Sequence, residues 1–210
     1  MSNPWEEISL DDYESHMSLD SVKQLQALDL IMKDQFDAYH VETAMILGVA
    51  GGNGLEHIDI RKYKRVYGVD INEEYLRAVS ERYESISHIF RYLRLDLTKE
   101  TDKLPNAQLL IANLLIEYIG YSAFVKAVMQ VGAEYVSSVI QINTDEKSWV
   151  SDSPYLHAFD RLDEVHHQID QKELTAVMEK AGYSVIFQCL AALPNGKALL
   201  RMDFCQKQII

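Results

Sequence analysis

Two textures alternate along this chain, and the alternation predicts an α/β protein. Residues 44–47, 65–70, 89–95, 108–113 and 135–142 are short apolar runs with the length of strands. Between them, apolar positions recur at helical spacing. Ser18 stands as an N-cap ahead of Val22, Leu25, Leu28, Met32, Phe36 and Tyr39, the stripe of one long amphipathic helix. Residues 72–82 predict a second helix, capped by Asn72 with Tyr75, Leu76 and Val79 inward, and residues 122–131 a third, stopped by Gly132. The 108–113 run is almost wholly apolar, as a strand covered on both faces must be. Repeated strand–helix units predict a mostly parallel sheet with helices on both sides.

The ends of the chain follow different rules. Residues 1–17 mix acidic and aromatic side chains without a sustained period and read as an arm. A long polar and aromatic connection, residues 143–168, interrupts the pattern, and loops of that length in compact domains are usually functional. Asp170 and Glu173 form a capping box flanked by the staple Ile169 and Leu174, predicting a helix that ends at Gly182. Asn195-Gly196 between two strand-like runs predicts a terminal antiparallel hairpin. Nothing marks a domain boundary, so residues 1–210 are expected to form one domain, with 1–40 as arm and cap helix and 41–210 as the α/β core.

Gly48, Gly51, Gly52 and Gly54 follow the first strand so densely that a strand, a tight turn and a helix start are expected. Such a turn lets a ligand approach the main chain, because glycine carries no Cβ. Asp70 closes the second strand sixteen residues later, where a carboxylate can accept from both hydroxyls of a ribose. The dinucleotide fingerprint fails, since its register reads Gly48, Ala50, Asn53.

A formal charge of −12 and a pI near 5.0 argue against nucleic acid. The basic stretch Arg61 to Arg65 reads as a solvated helix end. Cys189 and Cys205 are too few for a disulfide framework and are expected as core thiols. No segment approaches the roughly 18 apolar residues of a membrane span, and a cytoplasmic protein without a membrane partner is expected.

The segment Ile46 to Gly54 resembles the glycine motif of class I S-adenosylmethionine-dependent methyltransferases, and the likeness extends down most of the chain. The resemblance implies a Rossmann-like fold with sheet order 3-2-1-4-5-7-6 and S-adenosyl-L-methionine as cofactor. It places cofactor contacts at Gly48, Ala50, Gly51, Gly52 and Asn53, with Asp70 on the ribose and Ile71 on the adenine. Asp96 and Leu97 fall near the adenine amino group, and Asn113 ends the strand beside the methyl. The family usually has an acidic residue where this chain has Gly48, and glycine where it has Ala50.

Methyl transfer mainly requires alignment and water exclusion, with a base only for a protonated nucleophile. Glu117, Tyr118 and His166 are the candidate catalytic residues, and Tyr13, Trp149, Tyr155 and His157 the candidate acceptor contacts. No metal is expected; His166 and His167 beside Asp163 and Glu164 lack ligand geometry. A small-molecule acceptor is the leading expectation, with a homodimer left open. The alternatives are a catalytically silent S-adenosylmethionine-binding regulator and, further off, an aminopropyl transferase.

Overall fold

The computed structural model describes residues 2–143 and 150–207. Seven strands are laid out as β1 Thr43–Leu47, β2 Arg65–Asp70, β3 Phe90–Arg94, β4 Leu109–Asn113, β5 Tyr135–Ile142, β6 Tyr183–Ala192 and β7 Ala198–Gln206. They form one sheet of order β3-β2-β1-β4-β5-β7-β6, the order expected from the sequence. The first five pair in parallel, and β7 inserts antiparallel between β5 and β6.

Period-two alternation divides the sheet's side chains between two cores. Ala44 and Ile46 of β1 face Met32 and Phe36 of α2 (Gln24–Asp37) and Val79 of α3 (Glu73–Arg82). Met45 and Leu47 face the other way, onto Phe124 and Val128 of α4 (Ile116–Val131) and Met178 of α5 (Gln171–Lys180). Both faces of β4 are therefore covered, which explains its unbroken apolar run. Asn72 caps α3 by accepting from the N–H groups of Glu74 and Tyr75. Asp170 caps α5 in the same way, and the staple residues Ile169 and Leu174 are both buried. The capping box is only half made, because the Asp170 N–H donates to the Tyr121 hydroxyl at 2.7 Å.

Several expectations are corrected. The long helix expected to start at Ser18 starts later: Ser18 instead ends a separate helix, α1 (Leu10–Ser18), and α2 begins after Lys23, which sits at φ 52 without a side-chain cap. The arm is thus helical, with Ser9 as its N-cap accepting from the Asp12 N–H at 3.1 Å. No α-helix follows the glycine turn; a 3-10 turn, Leu55–His57, and irregular chain lead to β2. Arg61 to Arg65 accordingly is not a helix end. Lys62 Nζ and Tyr63 Oη instead both donate to the Phe36 carbonyl at the close of α2. The α4 helix begins six residues early, with a break at Gly120 (φ 70, ψ 167). A 3-10 run, Leu156–Glu164, occupies part of the long connection. Cys189 is exposed, because it stands in the exposed middle of the edge strand β6, and Cys205, next to the last residue of β7, is half-buried.

Candidate functional site

The glycine turn is held from below. Gly48 and Val49 donate their N–H groups to the Val69 carbonyl at 2.8 and 3.0 Å, tying the turn to the end of β2. Gly48 stands at φ 69, where an added Cβ would lie 3.1 Å from Leu115 Cδ1. Ala50, at φ 45, donates its N–H to Asp70 Oδ2 at 2.9 Å, and Asp70 Oδ1 accepts from the Asn72 N–H at 2.9 Å. The aspartate therefore organises the turn itself, and each carboxylate oxygen keeps a further lone pair for a ligand. Burial pushes the Asp70 carboxyl up to about 6, against the pull of the Asn72, Ala50 and Ile71 N–H groups.

Above the carboxyl ends of β1, β2, β4 and β5 opens a cavity of about 1290 Å³, mouth included. The α1 helix and the 3-10 turn Pro4–Glu6 roof it on one side. Asn72 Nδ2 pins that roof by donating to the Trp5 carbonyl at 2.9 Å. Phe159 and Leu162 of the 3-10 run, with His166 and His167 after it, close the other side. The turn's outer face is buttressed by Arg82, which pairs with Glu14 and donates to the Gly51 carbonyl at 3.1 Å.

Gly48, Ala50, Asp70, Ile71, Asp96 and Leu97 all line this cavity. So do Asn113, Glu117, Tyr118, His166 and Tyr13. The remaining expected residues lie elsewhere. Gly51, Gly52 and Asn53 face away: Glu14 and Arg82 cover Gly51, the Tyr83 ring packs on Gly52, and Asn53 Nδ2 donates to the Leu25 carbonyl at 3.0 Å. Tyr155 packs beside Phe159 without reaching the cavity. His157 is solvent-exposed and lies 3.5 Å from Asp160. Trp149 lies outside the described residues.

Asn113 is committed through its side chain, exchanging hydrogen bonds of 2.9 Å with Gln35 of α2 and donating to Met32 Sδ at 3.1 Å. Burial raises the Asp96 carboxyl, but hydrogen bonds from Lys99 and Thr98 outweigh it and leave the group lowered. Glu117 is 6% exposed; its Oε1 accepts from the Gln141 N–H at 2.8 Å, and burial lifts the group to about 7. The Tyr118 phenol is raised well above its usual value by burial, with Glu117 and Tyr13 adding to it. His166 is lowered by burial.

Phe159, which the sequence offered with Trp149 and Tyr155 as a pocket aromatic, is in the wall, and residues that the sequence alone did not single out complete it: Trp5, His16, Gln24 and Gln141. The His16 ring packs 4.7 Å from Phe159 at a tilt of 51° and hydrogen-bonds Ser153 Oγ at 2.7 Å, a contact spanning 137 residues that no local pattern signals.

Two observations mark the cavity as built for a ligand. Among the described residues five buried side-chain polar atoms lack a partner, and three of them, Trp5 Nε1, Tyr75 Oη and Glu117 Oε2, belong to its wall. Ala50 and Leu114, non-glycine residues at φ 45 and φ 53, also line it, and such backbone strain gathers at functional sites.

The chain has the fold of class I S-adenosylmethionine-dependent methyltransferases. Its structure is similar to the [4+2]-cyclase SpnF, with TM-score 0.71 and 7% identity over 98% of this chain and 95% of that one. It is similar to magnesium protoporphyrin IX methyltransferase (ChlM) from Synechocystis PCC 6803 with bound S-adenosylhomocysteine: TM-score 0.66, 8% identity, 97% and 96% coverage. The N-methyltransferase NodS from Bradyrhizobium japonicum WM9 gives TM-score 0.64 and 12% identity over 90% of this chain and all of that one. No protein-family model and no curated protein sequence matches the chain. Identities this low establish the fold alone, and a cyclase among the neighbours shows that the fold does not dictate the reaction. No helix among the described residues is long and apolar enough to cross a membrane.

Proposed function

We propose that the protein binds S-adenosylmethionine in this cavity and transfers its methyl group to a small-molecule acceptor. The carrying observation is the cavity's position at the carboxyl ends of the strands, with Asp70 and the unpartnered Tyr75 hydroxyl in one wall and Glu117 in another. Asp70, already fixed by two N–H groups, offers its remaining lone pairs to ribose hydroxyls, and Tyr75 Oη adds a donor beside it. Ile71 and Leu97 provide apolar walls for adenine, and Asp96 an acceptor for its amino group. Gly48 and Ala50 let the ligand approach the main chain; Gly51, Gly52 and Asn53 instead brace the turn from behind. Bound S-adenosylmethionine supplies an electrophilic methyl on sulfur.

Asn113, locked by Gln35, fixes the end of β4, and Glu117, Tyr118 and His166 surround the acceptor. Tyr13, Trp5 and Phe159 exclude water from it, in place of Tyr155 and His157. The free thiols, one of them exposed, support a reducing, cytoplasmic setting.

Calorimetric titration with S-adenosylhomocysteine tests the first half. Micromolar binding that weakens at least tenfold in Asp70→Asn is expected, and no binding at millimolar ligand overturns the proposal. Transfer of radiolabelled methyl to any component of a metabolite extract then separates an enzyme from a silent binder.

A further inference from the structure

The wall around Glu117 combines features that select one kind of acceptor. Glu117 Oε1 is used by the Gln141 N–H, while Oε2 is buried and has no hydrogen-bond partner among the described residues. Beside it the rings of Tyr118 and Trp5 stand at 80° with centroids 4.7 Å apart, and the His166 ring lies 6.0 Å from Tyr118 at 67°. These edge-to-face rings line the same cavity as Glu117, and aromatic faces attract cations. A buried carboxylate oxygen without a partner requires a donor, and a charged donor suits it best. The chain's −12 charge adds long-range attraction for cationic ligands.

We propose that the acceptor is a small amine, bound as its ammonium by Glu117 Oε2 within the rings of Trp5, Tyr118 and His166. This rests on the methyl-transfer reading above. One ammonium proton passes to Glu117 Oε2, freeing the nitrogen lone pair. That lone pair forms the new N–C bond as the C–S bond breaks, leaving its electron pair on sulfur, and Glu117 then releases the proton to water. The product is a methylated ammonium and a neutral thioether.

The test uses the full chain at pH 8, saturated with S-adenosylhomocysteine, titrated calorimetrically with benzylamine, phenethylamine and putrescine and with the alcohols of matching shape. At least one amine is expected to bind tenfold or more tightly than its matched alcohol. Glu117→Gln is expected to erase that preference, and Trp5→Leu to reduce it severalfold. Should Glu117→Gln fail to fold, the wild-type preference and its reduction in Trp5→Leu decide the matter. Alcohols binding as well as amines, none of the amines binding, or an undiminished preference in the variants would overturn the proposal. A protein that fails to bind S-adenosylhomocysteine yet still prefers amines would overturn the cofactor reading and leave the amine site standing.

Discussion

Replacing Glu117 by glutamine isolates the cost of holding a carboxylate inside this cavity wall. Glutamine keeps the shape and an acceptor for the Gln141 N–H, so what it removes is the charge. Burial lifts the Glu117 carboxyl from 4.5 to about 7, and at about 1.4 kcal/mol per pH step this is roughly 3 kcal/mol. The sign follows from linkage: the folded chain holds the proton more tightly than the unfolded one. Stability is therefore highest in acid, declines as pH rises through 4.5, and has lost the whole amount above 7. The glutamine variant has no such group to ionise. Wild type and Glu117→Gln are thus expected to lie closest at pH 5, within about 1 kcal/mol, and to diverge with pH, until the variant is more stable by roughly 3 kcal/mol at pH 8 to 9, which for a chain of this size corresponds to about 6–12 °C in Tm. Thermal unfolding at pH 5, 6, 7, 8 and 9 checks it. A gap that stays flat with pH, or widens toward acid, would refute the claim that desolvation dominates this carboxyl.

Three further outcomes follow from other contacts. Binding of S-adenosylhomocysteine, followed by calorimetry, is expected to weaken about tenfold between pH 7 and pH 5, because Asp70 titrates at about 6 and only its carboxylate can accept from two hydroxyls; pH-independent binding would remove Asp70 from the ribose site. Gly54→Ala is expected to cost about 2 kcal/mol in urea unfolding, since Gly54 sits at φ 83 and an added Cβ would lie 2.5 Å from Met32 Cβ; a loss under 0.5 kcal/mol would show that the turn yields easily. Arg201→Met leaves the buried Asp203 without its ion pair and is expected to cost about 3–5 kcal/mol, only part of which returns when Asp203→Leu is added, because the Tyr39 and Ser137 hydroxyls then lose their acceptor. Urea denaturation of the single and double variants decides this, and two additive losses would contradict it.

The glycine turn, Asp70 and the succession of strands were legible because each depends on nearest neighbours in sequence: a turn without side chains, a carboxylate closing a strand, apolar runs at regular intervals; Asp96 and the order of the strands in the sheet came from the family resemblance. The helicity of the arm was written in Leu10, Tyr13 and Met17 at three-and-four spacing, and was obscured by the acidic residues among them, two of which favour the first turn. The missing helix after Gly54 has a different origin. Leu55, Ile58 and Tyr63 are buried there without a helical stripe between them, and Ile60 is exposed, so packing against α2 rather than periodicity decides the path. His157, in the same stretch as the buried Phe159, turned outward because a short 3-10 run gives its residues different sides.

By itself, then, the pattern of residues determined the α/β class, a mostly parallel sheet with its terminal hairpin, and the segment at which a nucleoside-type ligand meets the main chain. These follow from the period of apolar residues and from the backbone freedom of glycine, both local quantities. Only the tertiary structure decided that Asp70 grips the turn, that Gln35 immobilises Asn113, and that Glu117 Oε2 has no partner among the described residues in a cavity that Trp5, Tyr118 and His166 also line. Those facts depend on desolvation and on partners up to 78 residues apart, and burial by a distant segment leaves no mark on the local pattern of the chain it covers.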